Sequence, residues 1–495
     1  MSTLVYSHTP MWEQHHAQSI EIATKLLKEK KKVIFLSCDS SLYSCPANFE
    51  HDISFCKKCL LQTEKTNNTI LNPLIKKINL NLIIKKKKYS FKNIEDVYNY
   101  KYDSQNIGQS VLSTLITDKY NSCYLDLEKI KKDIYNHLDF ATSLYERAKE
   151  IIKEHKIKTI YIWNGRRSSD APFILAAQSL NVNFYTYISG GRVTEYICQK
   201  TPVVHDLNFN KKLINKLYQK NFKKNNFKKD SKEFFDYMAG VSKKNYSYGY
   251  IQFSNEYKSN QKFNWDKTKK KLVIFTSSMW EFYSFGKDWF YVNNKKVDYY
   301  DLIEKIVNNK YIKEKYNIYI RWHPFLSTAG AGEKEKIKKI VNENPHVNHY
   351  EPKSKANSYE LIKFSDYVLT FGSTVGVEAT YLGKPSILFG RGYYEDCGAA
   401  YVVKNMKQLT NLLKAKPKAK NKINALKYGY WDRNRGNQKF KYVNVDKQLK
   451  WYLNSKRIKR FTLMFYLKIT IRNLLDYLLI KKIIFKIFKK KLHTI

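Results

Sequence analysis

The chain has 495 residues, 43% of them hydrophobic, with 89 Lys and Arg against 44 Asp and Glu and a formal net charge of +45. This length allows two or three domains, and the hydrophobic fraction excludes a disordered chain. The charge attracts polyanions such as anionic lipid, phosphate groups or nucleic acid, although Lys spread along a chain is also what biased genome composition produces. Specific nucleic-acid readout would need clustered basic residues, so no specific nucleic-acid partner is predicted.

The N-terminal residues 1–16 lack a basic flank followed by an apolar core, so no secretory signal is predicted. The sequence contains no run of about 18 apolar residues, so no transmembrane helix is predicted. Seven cysteines, an odd number, favour a reducing compartment with free or metal-bound thiols. A cytoplasmic protein is expected.

In the first half of the chain, strands alternate with helices. Strands are predicted at residues 4–8, 33–37, 159–163 and 184–188, and helices at 12–30, 140–155 and 171–180. This β-α-β alternation favours a parallel sheet covered by helices. The Lys- and Asn-rich residues 61–135 carry no clear pattern, and amphipathic helices are expected between 209 and 250.

A second alternation begins near residue 271. Strands are predicted at 272–275, 318–322, 347–350, 367–370 and 386–389, and helices at 299–308, 333–342, 359–364 and 375–382. The pattern predicts three parts: a domain at 1–255 with a Cys-rich insert at 38–59, a domain at 270–450, and a tail at 456–495.

The tail differs in composition from the two domains. From Lys456 onward, Phe, Leu, Ile and Tyr alternate with Lys and Arg, and Asp476 is the only acid. A basic amphipathic helix that cannot span a bilayer favours the membrane interface, where it meets anionic lipid. A helix docked on the protein body, or one that binds a partner protein, is the alternative.

Gly372-Ser373-Thr374 stands between a predicted strand and a predicted helix. Two hydroxyls and unpaired backbone N–H groups at the start of a helix favour phosphate binding, and Gly372 allows close approach to the backbone. Glu378, one turn on, is placed to accept hydrogen bonds from ribose hydroxyls. The alternative is a plain helix cap with Glu378 on the surface.

Two further strand ends in the second half carry polar residues. Arg321 and His323 follow one strand, and Pro324 fixes the chain as it leaves it. Ser277 and Ser278 follow another. Ligands of doubly wound sheets bind outside the carboxyl ends of the strands, where His and Arg can contact a diphosphate and His323 can stabilise a leaving phosphate.

In the first half of the chain, two loops that follow predicted strands contain arginines. The expected binding residues for an anionic sugar or lipid-linked acceptor are Asn164, Arg166, Gly191 and Arg192. Transfer to an acceptor hydroxyl with inversion needs a base. The acid/base candidates on this half are Glu13, His15, Asp170 and Glu195.

The Cys-rich insert could hold a metal ion. Cys38, Cys45, Cys56 and Cys59 have the spacing C-x6-C-x10-C-x2-C, with His51 between them. Four thiolates can hold structural zinc, and disulfides or free thiols are the alternatives. A closed four-ligand site would leave no open position for catalysis.

Several segments resemble bacterial capsule polysaccharide biosynthesis glycosyltransferases. They are RWHP, SDYVLTFGSTVGVEATYLGKPSILFGRGYYED, PMWEQHH, the Cys-rich insert, WNGRRSSDAPFILAA and KYGYWDRNRGNQKFKYV. The resemblance covers roughly residues 1–60, 140–205 and 270–445. It implies a GT-B-like α/β fold, with two Rossmann-like doubly wound domains facing a cleft, and a nucleotide-sugar donor bound mainly by the second domain. It places the family's His-Pro pattern on His323 and Pro324.

The resemblance implies transfer of a sugar from a CMP-linked or other nucleotide-sugar donor to a growing capsular or lipid-linked polysaccharide. Enzymes of this class neutralise the leaving group without a bound metal, and no Asp-x-Asp follows a strand of the second half, so no catalytic metal is expected. The enzyme would act at the inner face of the cell membrane as a peripheral protein. The alternatives are a CDP-polyol phosphotransferase of the same fold, a sugar-nucleotide epimerase and a non-enzymatic polyanion binder.

Overall fold

Two α/β sheets with their helices make up the protein. The structure is a computed structural model that describes residues 2–241, 266–292, 295–354 and 356–458. In these residues the strands, in chain order, are β1 (Ser2–Ser7), β2 (Lys32–Ser37), β3 (Lys76–Asn79), β4 (Lys101–Tyr102), β5 (Gln105–Asn106), β6 (Ile157–Trp163), β7 (Asn183–Ser189), β8 (Glu195–Gln199), β9 (Lys270–Phe275), β10 (Tyr291–Val292), β11 (Lys295–Lys296), β12 (Tyr316–Arg321), β13 (Asn348–Tyr350), β14 (Tyr367–Thr370), β15 (Ser386–Phe389), β16 (Tyr401–Val403), β17 (Gln438–Lys439), β18 (Val443–Val445), β19 (Trp451–Leu453) and β20 (Lys456–Arg457).

The helices occupy the connections between these strands. In chain order they are α1 (Glu13–Lys28), α2 (Ile53–Lys65), α3 (Ile94–Tyr98), α4 (Gly108–Thr114), α5 (Leu127–Glu154), α6 (Ala171–Ser179), α7 (Leu207–Asn221), α8 (Phe227–Met238), α9 (Met279–Phe285), α10 (Lys287–Phe290), α11 (Tyr299–Val307), α12 (Lys310–Lys315), α13 (Ala331–Glu343), α14 (Ser358–Phe364), α15 (Val375–Tyr381), α16 (Met406–Lys414) and α17 (Lys422–Asn434). In the part of the chain that the structure describes, no helix has the length and apolar character needed to cross a membrane.

The first sheet has the strand order β17-β8-β7-β6-β1-β2-β3. Strands β1, β2, β3, β6 and β7 run parallel, whereas β8 and β17 are antiparallel to their neighbours. All six residues of β1 are buried, as expected of a parallel strand covered on both faces. The strand order reverses between β1 and β6, so the loops after these two strands open into one crevice.

The second sheet has the strand order β13-β12-β9-β14-β15-β16, and all of its strands are parallel. Its order reverses between β9 and β14. Each sheet is therefore doubly wound, and the predicted α/β class is confirmed. The predicted C-terminal amphipathic helix lies outside the described residues, which end with β20 and Ile458.

The segment between β3 and α5, which carried no clear sequence pattern, links the two domains. Gly330 donates its N–H to the carbonyl of Asn121 at 2.9 Å, and Glu333 accepts from the N–H of Cys123 at 3.0 Å. A Cβ on Gly330 would lie 2.3 Å from the Tyr120 carbonyl oxygen, so this close approach requires glycine. The segment holds the start of α13 against the first domain.

After α17 the chain returns to the first sheet. Strand β17 pairs with β8, and the fully buried Glu21 of α1 accepts from the backbone N–H groups of Lys441, Tyr442 and Val443 at 2.9, 3.0 and 2.8 Å. Three N–H groups on one carboxylate are charge-assisted bonds, stronger than neutral ones. Residues 438–458 thus pack with the first domain, although the sequence pattern had grouped those up to 450 with the second.

Helices α7, α8 and α17 pack together, and α17 packs against α15 beside the second sheet. Phe234 and Phe235 of α8 share a buried apolar cluster with Val377, Leu388 and Trp431. Helices α7 and α8 therefore belong structurally with the second sheet, although they precede it in the chain and had been grouped with residues 1–255.

Candidate active site

Polar residues follow three neighbouring strands of the second sheet, β12, β9 and β14. Adjacent strands lie about 4.8 Å apart, so the loops after them form one continuous edge. Thr276, after β9, accepts the N–H of His323, after β12, through Oγ1 at 2.9 Å. The strand ends that the sequence singled out, at 276–278, 321–324 and 371–374, thus lie side by side.

His323 is the half-buried histidine of this edge. Its Nδ1 lies 3.3 Å from the N–H of Phe325, which donates to it, and 3.1 Å from the hydroxyl of Ser278. Burial, and secondarily the charge of Arg321, lowers the pKa of His323 to about 4. The ring is neutral at pH 7, and among the described residues its Nε2 makes no hydrogen bond. That nitrogen is left for a ligand.

Gly372 shapes the loop after β14. It adopts φ +87°, and a Cβ there would lie 2.8 Å from the Arg391 carbonyl oxygen and 2.9 Å from Phe282. Only glycine fits both restraints. The carbonyl of Ser373 accepts from the hydroxyl of Tyr394 at 2.8 Å, and this contact anchors the backbone of the loop. Ser373 itself is half-buried and lies at the sheet edge.

Two residues predicted to contact the donor are engaged within the protein. The guanidinium of Arg321 donates to the carbonyls of Trp322, Glu351 and Ser354 at 2.8, 2.6 and 3.1 Å. It therefore fixes the loop after β13.

Glu378 is also held from within. It is 2% exposed and accepts from the hydroxyl of Thr374 at 2.9 Å. Burial raises its pKa to about 7. Its carboxyl thus orients Thr374.

A cavity of about 510 Å³ opens at the same edge, beyond β12. It is bounded by the Trp322-His349 stack on one side and by α13 and the loop after β13 on the other. The indole Nε1 of Trp322 and both ring nitrogens of His349 are buried without a partner in the described residues. The hydroxyl of Ser277, at the end of β9, is likewise buried and unpartnered there.

The loop after β6 brings the first domain to this edge. Arg166 donates to the hydroxyl of Ser284 on α9 at 2.6 Å and to that of Ser113 on α4 at 3.2 Å. Asp170 accepts from the N–H of Gly165 at 2.9 Å, and burial raises its pKa to about 6. Arg166 therefore crosses between the two sheets, while Asp170 holds its loop.

Asn164, in the same loop, has φ +63° and is 3% exposed. Its side-chain oxygen has no partner among the described residues. It lies at the strand-order reversal of the first sheet, where a ligand of that sheet is expected.

The other predicted residues of the first half lie elsewhere. Arg192 is within 3.6–3.9 Å of the carboxylates of Glu195, Asp230 and Glu233. A Cβ on Gly191 would lie 2.0 Å from the Asp432 carbonyl oxygen. Gly191, Arg192 and Glu195 therefore form the junction with α8 and α17.

His15 lies at the carboxyl edge of the first sheet. Its ring centroid is 4.8 Å from that of Trp163 and 5.8 Å from that of Trp12, and its Nδ1 is 3.3 Å from Gln18. Burial lowers the pKa of His15 to about 4. The predicted acid/base residues are thus spread over His323 on the second sheet, His15 and Asp170 on the first, and Glu195 at the α8–α17 junction.

The predicted zinc site is not supported. Residues Cys38, Cys45, Cys56 and Cys59 are free thiols, and within the described ranges no three His, Cys, Asp or Glu side chains are grouped so that they could hold a metal ion. Burial raises the pKa of Cys38 to about 12 and that of Cys45 to about 11, so both are protonated thiols at neutral pH.

Sequence reasoning missed Glu281, which lies on α9 beside Ser278. Burial raises its pKa to about 7, against the opposing effects of a hydrogen bond with Ser278 and the charge of Arg166. The spacing Ser-x-x-Glu at 278–281 was the available signal, but it is also the pattern of a helix capping box.

Two Rossmann-like domains, with loops from both meeting at the carboxyl edge of the second sheet, define a GT-B-like α/β protein. Residues 199–428 match the family model described as "Capsule polysaccharide biosynthesis protein". The resemblance seen in the sequence is thereby confirmed for this segment, which spans the second sheet with α7, α8 and the start of α17.

The solved structures that the chain matches include two transferases and an epimerase. The KpsC β-Kdo 2,4-transferase of Thermosulfurimonas dismutans is 11% identical over 61% of this chain and 84% of its own, with a TM-score of 0.37. The KpsC β-Kdo 2,7-transferase of that organism is 13% identical over 58% and 80%, with a TM-score of 0.33. UDP-GlcNAc 2-epimerase from Neisseria meningitidis, bound to UDP-GlcNAc, is 12% identical over 88% and 98%, with a TM-score of 0.27. No curated protein matches the chain.

Proposed function

We propose that the protein is a glycosyltransferase that moves a sugar from a nucleotide-sugar donor to a growing capsular or surface polysaccharide or lipid-linked acceptor. The observation that carries the proposal is the geometry of His323, whose Nδ1 is held by Phe325 and Ser278 while Nε2 is left for a ligand. The family of residues 199–428 and the adjoining cavity support it.

The backbone contact at Nδ1 of His323 decides which ring nitrogen carries the proton. Because the N–H of Phe325 donates to Nδ1, the neutral imidazole carries its proton on Nε2. An N–H at that position can donate to a phosphate oxygen of the leaving nucleotide. This N–H group would stabilise the negative charge that develops on the phosphate oxygen in the transition state. Fixed hydrogen-bond donors accelerate a reaction most at the atom where charge develops.

In the transfer, the bond from the anomeric carbon to the phosphate oxygen breaks, and a bond from that carbon to the acceptor oxygen forms. The acceptor hydroxyl gives up its proton, for which Asp170 and His15 on the first sheet are the proposed recipients. We propose that Arg166 and Asn164 face anionic groups of the acceptor, and that the transfer needs no metal.

We propose that the sugar donor is linked to CMP or to a nucleoside diphosphate. A thermal-shift screen identifies the nucleotide. Purified protein is melted with CMP, CDP, UDP, GDP or dTDP, with and without EDTA. A ligand at 100 times its dissociation constant stabilises the folded state by about 2.7 kcal/mol. We expect one nucleotide to raise the melting temperature by a few degrees, equally with EDTA.

The site variant for this screen is Ser373→Ala, which removes a hydroxyl at the sheet edge and leaves the hydrogen bond between Thr374 and Glu378 in place. The nucleotide-induced shift should shrink in this variant, whereas Ser365→Ala, at a buried serine between α14 and the start of β14, should keep the shift. If no nucleotide changes the melting temperature, the donor proposal fails.

We propose that residues 459–495 attach the enzyme to the inner membrane face. Truncation should follow Ile458, because this residue is buried and its carbonyl accepts from Gln62 at 2.7 Å. Basic residues near an anionic surface contribute about 1 kcal/mol each. The full chain should co-sediment with phosphatidylglycerol vesicles, and the truncated chain should stay in solution.

Phosphatidylcholine vesicles serve as the control for charge, and an unchanged melting temperature shows that the truncated chain is folded. Equal sedimentation of both chains with phosphatidylglycerol would place the membrane contact elsewhere on the protein.

A further inference from the structure

A second cavity, of about 310 Å³, lies where the two domains meet, at the C-terminal end of α9. Three segments line it: residues 98–109 around α3 and α4 of the first domain, residues 203–207 before and at the start of α7, and residues 285–289 around α10. It shares no lining residue with the cavity beyond β12. The two cavities are therefore separate.

One wall of the cavity at the end of α9 is aromatic. The rings of His205 and Phe285 stack with their centroids 4.3 Å apart, and the ring of Trp289 meets Phe285 edge-on at 5.3 Å. The indole N–H of Trp289 donates to the carbonyl of His205 at 2.9 Å, so the wall is fixed across two segments. An aromatic face carries partial negative charge and attracts C–H groups such as those on the face of a sugar ring.

Side-chain amides line another part of this cavity. In the part of the chain that the structure describes, the side-chain amide of Gln109 makes no hydrogen bond, and that of Asn106 is bonded only through its oxygen, which accepts from the N–H of Gln109 at 3.2 Å. Gly286 adopts φ +122°, and a Cβ there would lie 2.8 Å from Nε2 of Gln109, so glycine lets this amide lie against the turn between α9 and α10. An amide both donates and accepts, which matches the hydroxyl groups of a sugar.

The charges around the cavity disfavour an anionic ligand. Asp206 and Asp288 line it, and Lys287 is the only Lys or Arg among the described residues that do so. The ammonium of Lys287 is already held by the carboxylate of Glu95 at 3.1 Å and by the side-chain oxygen of Asn99 at 2.9 Å. A phosphate would therefore meet two carboxylates and a cation that is already paired, which is unfavourable in a partly buried site. The cavity thus differs in chemistry from a site for the donor nucleotide.

We propose that this cavity binds an uncharged sugar unit of the acceptor chain. The apolar face of the sugar ring packs on Phe285 and Trp289. The hydroxyls of the sugar donate to the carboxylate of Asp206 and exchange hydrogen bonds with the amides of Gln109 and Asn106. The inference rests on the proposed function, since it names a part of the acceptor.

The cavity lies within reach of an acceptor chain whose end reacts at the sheet edge. Helix α9 connects the two places: Ser278, just before the helix, lies 3.1 Å from Nδ1 of His323, and Phe285 ends the helix. The 7 residues of α9, at 1.5 Å each, put the two ends about 10 Å apart. The guanidinium of Arg166 lies 5.3 Å from the centroid of the Phe285 ring. The bound unit therefore lies behind the reacting end of the chain.

Such a subsite makes affinity depend on the length of the acceptor. An acceptor that reaches the cavity makes two linked contacts, and the second contact adds affinity because it is intramolecular. A shorter acceptor reaches only the sheet edge and binds as it would without the cavity. Loss of the cavity contacts should therefore raise KM for long acceptors and leave KM for short acceptors and for the donor unchanged.

The test observes the indole N–H of Trp289 by ¹H–¹⁵N NMR of the full chain labelled with ¹⁵N-tryptophan. The chain has 8 Trp, and the Trp289 signal is identified by its absence in Trp289→Phe. Methyl glycosides of glucose, galactose, mannose and N-acetylglucosamine are titrated one at a time, with inorganic phosphate as the anionic probe. We expect at least one glycoside to shift the Trp289 signal in a saturable way and phosphate to leave it unchanged.

Gln109→Ala is the first site variant. It removes the unbonded amide and should weaken glycoside binding about five- to tenfold, the loss expected of one hydrogen bond. Gln105→Ala is the matched control, since Gln105 is a half-buried glutamine of the same segment that does not line the cavity. Asp206→Asn is a second site variant, because its amide oxygen can keep the N-cap bond to the N–H of Phe209 while the carboxylate that accepts from the sugar is lost.

Equal glycoside binding in the wild type and in folded Gln109→Ala and Asp206→Asn would overturn the inference, as would the lack of a Trp289 response to every glycoside. A saturable response to phosphate would assign the cavity to an anion and overturn it as well. Because this readout needs neither donor nor transfer, its failure leaves the proposed function standing. Sugar binding at Trp289 in a protein that transfers no sugar would remove the glycosyltransferase proposal and keep the sugar site.

Discussion

His323→Ala should lower kcat for sugar transfer by about 10²- to 10³-fold, the loss found when one fixed donor to a developing oxyanion is removed. The variant keeps the backbone contact between His323 N–H and Thr276. The half-buried ring contributes little to the core, so the melting temperature should change little. Initial rates at saturating donor and acceptor, followed by release of the nucleotide, measure the effect.

His323→Gln is the matched control for this variant. Its amide can place an N–H near the position of Nε2, so it should recover part of the lost rate. An unchanged turnover number in His323→Ala would remove His323 from the mechanism, whatever the effect on KM.

Gly372→Ala should destabilise the protein by about 2–4 kcal/mol and abolish the nucleotide-induced melting shift. Part of the cost, about 1–2 kcal/mol, is the strain of an alanine at φ +87°. The rest arises because the new Cβ would lie 2.8 Å from the Arg391 carbonyl oxygen and 2.9 Å from Phe282, so the loop that carries Ser373 must move. Denaturant unfolding and the nucleotide melting screen measure the two effects.

Gly383→Ala separates strain from displacement. Gly383 has φ +76°, but a Cβ there meets no atom within 4 Å. This variant should show only the strain cost and keep the full nucleotide shift. Equal loss of the shift in both variants would mean that the close approach at Gly372 does not shape the site.

The strands could be predicted because their sequence signal is local. Predicted residues 367–370 and 386–389 coincide with β14 and β15, which are short apolar runs between turn residues. The same signal located the strand ends at Ser278, His323 and Gly372, since residues that follow parallel strands meet at one edge of the sheet.

The pairing of distant parts of the chain could not be predicted. Glu21 sits in an ordinary amphipathic helix, and nothing near it signals that its carboxylate receives three N–H groups about 420 residues away. Arg192 ends a strand as a binding residue would, yet Asp230 and Glu233 reach it from α8. Contacts of this kind depend on how helices pack, which no local pattern records.

The sequence by itself determined the two doubly wound sheets, the family resemblance of the second domain and the place of His323 at a strand end, because hydrophobic alternation and strand-end chemistry depend on neighbouring residues. The tertiary structure decided which polar groups are free for ligands. It engaged Arg321, Arg192 and Glu378 within the protein. A polar side chain takes the partner that folding brings within hydrogen-bond distance, and burial then sets its charge.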